Sequence, residues 1–193
     1  MSVVQANIID SAAWGDDADE RELIERAKRD RDAFALLYRR HYRGLAAHVY
    51  RRTGDLHITE DLVADVFLTA LRMLPRYRYR GVPLRFWLLW IATNAVNRWA
   101  RRQRRGAIAS LEADQLEDIR AGRRAHDGEH DQDRAQRALL TLSPKHQAVL
   151  SLHYLEGLAV REVAAVLGCR EGTVKSRLAR ARDALRAQMN GRR

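Results

Sequence analysis

One cysteine, three prolines and three lysines are all that this chain of 193 residues holds of each, and each scarcity excludes something. With Cys169 alone, neither a disulfide nor a cysteine-rich zinc site can form within the chain, which fits a reducing cytoplasm. With proline only at Pro75, Pro83 and Pro144, long helices run uninterrupted. A long apolar run is also missing. The most apolar stretch, Pro83 to Ala100, is broken by Arg85, Asn94, Asn97 and Arg98 and is too polar to span a bilayer. The first residues gather Asp10, Asp16, Asp17, Asp19 and Glu20 rather than a basic start and an apolar core, so no signal peptide is read there. A soluble, cytoplasmic protein without membrane insertion is expected. There is no glycine-rich phosphate loop, and the seven histidines are mostly scattered. His126 and His130 stand four apart, a spacing that suits metal ligands, but no apolar stripe supports a helix there. Catalytic residues, metal and cofactor are therefore expected to be none.

The shortage of lysine (Lys28, Lys145, Lys175) leaves the basic residues almost entirely arginine, with a net charge of +10 and a pI near 10.5. Such a balance favours a polyanionic partner. Arginine's planar fork suits phosphates and guanine edges, and a GC-rich genome would give the same bias; composition leaves both open.

Apolar residues recur at helical period, which predicts an all-α protein. Phe34, Tyr38, Tyr42, Leu45 and Val49 line one helix face that Gly54 closes. The next helix is predicted to open at Thr59 as N-cap, with Glu60 and Asp61 in its first turn. Its stripe is Leu62, Val63, Val66, Phe67, Ala70, Leu71 and Leu74, and Pro75 ends it. A basic aromatic loop, Arg76-Tyr77-Arg78-Tyr79-Arg80-Gly81, precedes a long helix with Leu84, Trp87, Leu88, Ile91, Ala95 and Trp99 inward and an arginine run at its end. Two small helical domains result, 19–105 and 135–189, after a tail over 1–18. The intervening 106–134, rich in acids and without periodicity, reads as a flexible linker. Ser143-Pro144 reads as an N-cap with proline at the first helical position.

The sharpest signal lies near the C-terminus. A short helix would place Val163, Val166 and Leu167 inward, Gly168-Cys169 would supply a tight turn, and a second helix from Glu171 would bury Val174, Leu178, Ala181 and Leu185. That leaves Thr173, Lys175, Ser176 and Arg180 on the open side, flanked by Arg170, Glu171 and Arg177. A helix entering the major groove needs short polar groups near its N-terminus and cations beside them.

The run Leu167-Gly168-Cys169-Arg170-Glu171-Gly172-Thr173-Val174-Lys175-Ser176-Arg177-Leu178 closely resembles region 4 of the extracytoplasmic-function sigma factors of bacterial RNA polymerase. Thr59-Glu60-Asp61-Leu62-Val63-Ala64-Asp65-Val66-Phe67-Leu68 resembles their region 2.2. Trp87-Leu88, Ile91-Ala92 and Asn94 with the following arginines resemble regions 2.3 and 2.4, and Leu142-Ser143-Pro144 the start of region 4.1. The resemblance implies that the chain binds core RNA polymerase at its β′ clamp and β flap regions and directs it to promoter DNA. Glu60, Asp61, Asp65 and Phe67 would meet the clamp. Tyr77, Tyr79, Asn94, Asn97, Arg98 and Arg101 would read and open the −10 element. Arg170, Glu171, Thr173, Lys175, Ser176, Arg177 and Arg180 would read the −35 element. An anti-sigma factor is a family expectation that no residue here identifies. The chain departs from the family pattern at Arg98, where an acidic or polar residue is usual, and at Ala159 and Arg170, which replace helix-capping serines. Two other functions compete: a helix-turn-helix repressor or activator, which leaves the N-terminal matches unexplained, and a helical protein-binding adaptor whose charge serves solubility.

Overall fold

A computed structural model describes the backbone of residues 20–111 and 131–190 and the side chains of 20–105 and 134–190. The N-terminal tail, most of the expected linker, and His126 and His130 lie outside the described residues. Among the described residues every regular element is a helix, in line with the all-α reading.

Four helices build the first unit: α1 (Glu20–Ala27), α2 (Arg31–Thr53), α3 (Leu56–Met73) and α4 (Leu84–Leu111), with a 3-10 turn at Leu74–Arg76 after α3. Asp30 caps α2, its carboxylate accepting the Asp32 N–H at 2.9 Å, and Gly54 ends it in the left-handed region at φ 69°. The start of α3 differs from expectation. The reversal at Gly54 leaves Asp55 extended, so Asp55 is the N-cap, accepting the Ile58 N–H at 3.0 Å. Thr59 therefore sits a turn inside the helix, buried, with its hydroxyl donating to the Asp55 carbonyl at 2.6 Å.

The α2 face also differs. Tyr38 stands at the edge, 38% exposed, whereas Leu37, His41, Leu45, His48, Val49 and Arg52 are buried. The reason is that α2 packs against α1, α3 and α4 on one side and against the C-terminal unit on the other, so its buried arc is wider than a single stripe.

The second unit comprises α5 (Asp131–Thr141), α6 (Pro144–Leu150), a π-helical turn (Ser151–Leu155), α7 (Val160–Leu167) and α8 (Glu171–Asn190). Ser143 caps α6 as expected, accepting the His146 N–H at 3.3 Å.

The described residues form two apolar cores, and these are not independent. Leu89 of α4 is fully buried in the core of the second unit, and Phe86 packs on it. Gln136 of α5 donates to the Arg51 carbonyl at 3.0 Å, and the Leu140 side chain lies against Gly54, where even a methyl group would meet it at 2.6 Å. Units that the sequence reads as tethered are thus packed together.

Within the first unit a buried polar cluster ties α1 to α2 and to the start of α4. Glu20 accepts the Leu84 N–H at 2.9 Å, and its other oxygen lies 3.6 Å from His41 Nε2. Despite that carboxylate, burial and the charges of Arg40 and Arg85 hold the His41 pKa down to about 4. The sign follows: between 6.5 and about 4 the unfolded chain binds the proton first, so His41 stabilises fully above 6.5 and that stability is lost as pH falls. His41 alone should remove on the order of 3 kcal/mol across that window. Urea melts of wild type and His41→Gln at pH 7.5 and 4.5 test this, the variant losing distinctly less stability. Equal losses would contradict it.

Candidate nucleic-acid interface

In the C-terminal unit, Gly168 adopts φ 61°, and its N–H and that of Cys169 return to the last carbonyls of α7, closing the turn between the two helices. Val163, Val166, Val174, Leu178 and Ala181 meet in one core, with Leu167 and Leu185 packed against it. Cys169 is a half-buried turn residue against the same core.

That packing leaves a polar face on α8. Lys175, Ser176 and Arg180 are exposed, Thr173 is half-buried, and Arg170 and Glu171 stand exposed at the helix start. Arg180 folds back, its Nε donating to the Ser176 carbonyl at 3.3 Å and its Nη2 to Ser176 Oγ at 3.4 Å. Arg177 is half-buried and leans toward the Cys169 sulfur. The face combines hydroxyl groups with cations over about two turns, a pattern that can meet base edges and phosphates at once. Ala159 gives α7 no side-chain cap, but Glu162 accepts the Ala159 N–H at 2.7 Å and recovers half of the capping arrangement.

The N-terminal unit carries a second cationic surface. Arg98, Arg101, Arg102, Arg104 and Arg105 are exposed along the later turns of α4, and Asn94 is half-buried. Asn97 is used internally: its Oδ1 accepts from Arg52 Nη2 at 2.7 Å. At the start of α4, Arg72, Met73, Arg76, Tyr77, Arg78, Arg80 and Trp87 line an open concavity of about 380 Å³. The Tyr77 and Trp87 rings stand 4.6 Å apart, and burial first, then the Glu20 charge, push the Tyr77 hydroxyl up to about 12, so it stays a donor. Tyr79 packs partly buried against the core, outside the lining. Trp87, expected in the core, both packs on it and faces the concavity. Arginines around aromatic planes suit an unpaired nucleotide.

On α3, Glu60, Asp61 and Asp65 are exposed on successive turns. Phe67 is not available beside them: it is 5% exposed, in the core, with its ring 4.5 Å from Tyr38. Its place in the apolar stripe decides this, and the exposed apolar neighbours are Leu68 and Leu71 instead. Sequence reasoning also missed the buried polar residues Glu20, His48, Arg52 and Glu156, whose partners lie far away in the chain. Among the described residues no group of three or more His, Cys, Asp or Glu could hold a metal ion, and no helix is long and apolar enough to cross a membrane.

Comparisons with known proteins follow this geometry. A model of Sigma-70 region 2 matches residues 37–106, and one of Sigma-70, region 4 matches residues 132–185. The chain is 32% identical over 170 residues to the ECF RNA polymerase sigma factor BldN of Streptomyces coelicolor, covering 86% of this chain but just under two thirds (64%) of BldN. It is 30% identical over 168 residues to the RNA polymerase sigma factor YlaC of Bacillus subtilis, covering 82% of this chain and 93% of YlaC. Among solved structures it is similar to the sigma factor RpoE of Bartonella quintana, crystallised with the anti-sigma factor NepR, at a TM-score of 0.64 and 27% identity over 83% of this chain and 98% of that one. With regions 2 and 4 matched in order on the two helical units, the chain belongs to the extracytoplasmic-function RNA polymerase sigma factors of the sigma-70 family.

Proposed function

We propose that the chain is a dissociable specificity subunit of bacterial RNA polymerase, working in the cytoplasm without chemistry of its own. The observation that carries this reading is the pairing, in one chain of this family, of two cationic surfaces on separate helical units. One is the hydroxyl and arginine face of α8, and the other is the arginine-lined aromatic concavity leading into α4. In this reading α8 reads the −35 element through Arg170, Glu171, Thr173, Lys175, Ser176, Arg177 and Arg180. The α4 face with Asn94, Asn97, Arg98 and Arg101 engages the −10 element, and the Tyr77–Trp87 concavity takes an unpaired base. Tyr79 supports the loop from beneath. Glu60, Asp61 and Asp65, with Leu68 in place of Phe67, meet the clamp of the β′ subunit, and the C-terminal unit meets the β flap. A partner of the anti-sigma kind, as in the RpoE–NepR complex, fits the same architecture.

Neither DNA-facing surface is large alone, so affinity depends on assembly with the polymerase. The free chain should give weak or no promoter-specific gel shifts at physiological salt, and core polymerase plus chain should give strong ones. Tight, promoter-specific shifts by the free chain would point instead to a self-sufficient repressor or activator.

A further inference from the structure

Glu156 follows the π-helical turn and lies 108 residues after His48, yet its side chain is 3% exposed because it is lodged in the first unit. Its Oε1 is 3.1 Å from His48 Nδ1 and pairs with the Arg51 guanidinium. His48 and Arg51 stand three apart on α2, so one carboxylate reaches both. Burial, the largest influence, holds the His48 pKa below its ordinary value, which leaves the ring neutral near pH 7.

Beside this pair, Arg52 works against closure. It is fully buried, and its partners among the described residues are the neutral oxygens Asn97 Oδ1 at 2.7 Å and the Pro144 carbonyl at 3.4 Å. Burial draws its pKa to about 10, so it stays charged near neutrality, and opening would return it to water. One ion pair holds the units together while another buried charge favours separation.

On α4, Leu89, Thr93 and Asn97 stand one turn apart as a stripe: Leu89 lies within the core of the second unit, Thr93 is buried, and Asn97, half-buried, is joined through Arg52 to the Pro144 carbonyl at the start of α6. The α8 polar face stays exposed in the same structure. Occlusion therefore falls on α4 and spares the polar face of α8.

We propose that Glu156, seated between His48 and Arg51, latches the free chain closed over the Leu89–Thr93–Asn97 stripe, and that this latch must release before α4 can engage promoter DNA. The second half rests on the function proposed above; the first does not.

The test is small-angle scattering of the full chain combined with the rate of open-complex formation by core polymerase. Glu156→Arg and Arg51→Glu should each enlarge the radius of gyration by roughly a quarter over that of a compact chain, with unchanged helical circular dichroism. Combining the two substitutions should restore compactness. Glu156→Gln, which keeps the shape and removes the charge, should expand the chain partially, covering the case in which reversal unfolds it. Folded Glu156→Arg and Glu156→Gln chains should also form open complexes several-fold faster. Single variants as compact as wild type, a double variant no more compact than the singles, or expansion without faster opening would each overturn the proposal. Failure of every variant, wild type included, to bind polymerase would instead sink the function above, and the scattering would still read the latch.

Discussion

Reversing Asp61 and Asp65 to arginine together should abolish co-purification of the chain with core RNA polymerase and leave its helical content and cooperative unfolding intact. Both carboxylates are exposed on one face of α3, one turn apart, and neither has a described ion-pair partner whose loss would disturb the fold. They lie beyond the first turn that opens at Asp55, so the helix loses little, a few tenths of a kcal/mol for each altered charge. Across a docked surface, placing like charges opposite each other costs several kcal/mol, enough to lower affinity by more than about 100-fold. Phe67 makes the contrast. Phe67→Ala empties a core position and should cost about 3–5 kcal/mol of stability, losing polymerase binding only by unfolding. Normal co-purification of the double arginine variant, or a stable Phe67→Ala chain that fails to bind, would show that the docking face lies elsewhere.

Changing Lys175 and Arg180 to alanine should separate the two proposed DNA-reading surfaces from the other side. Both side chains are exposed on α8, and neither contributes to its core. Upstream protection in DNase footprints of the assembled polymerase should weaken by about 10-fold or more, with a shallower salt dependence as phosphate contacts are lost. Asn94→Ala with Arg101→Ala should spare upstream protection and reduce permanganate-reactive thymines near the start site, because these two residues share a face of α4 two turns apart. Asn97 is excluded from this pair, since its amide is held by Arg52 and its loss would also alter how the units pack. Equal loss of both footprints in both variants would contradict the division of labour.

The helix-turn-helix was legible because every signal for it is local. Gly168 marks the turn, Val174, Leu178 and Ala181 recur at helical period, and the polar residues between them have nowhere to go but outward. The same holds for Ser143-Pro144 at α6 and for the end of α2 at Gly54. Errors arose where a residue's surroundings come from elsewhere in the chain. Thr59 is a good capping residue by type, but Asp55 stands earlier in the chain and takes the role. Tyr38 and His41 differ by a fraction of a turn, and which one is buried depends on α1, α4 and the C-terminal unit, none of which the period of α2 encodes. Leu89 looks like a surface position on a helix whose core stripe is Leu84, Leu88, Ile91 and Ala95, until the core of the second unit takes it in. Glu156 carries no sequence mark at all. Its partners are more than a hundred residues away, and an acidic residue before a glycine reads as solvated loop.

In the proposed function this chain gives RNA polymerase an address. Transcription in vitro by core polymerase on a genomic DNA library, with and without the chain, followed by sequencing of the RNA 5′ ends, tests it most directly. Discrete start sites are expected that appear only with the chain, share paired −10 and −35 sequences, and vanish with the Asp61→Arg and Asp65→Arg double variant. Start sites unchanged by adding the chain, or repressed at a shared upstream sequence, would contradict it.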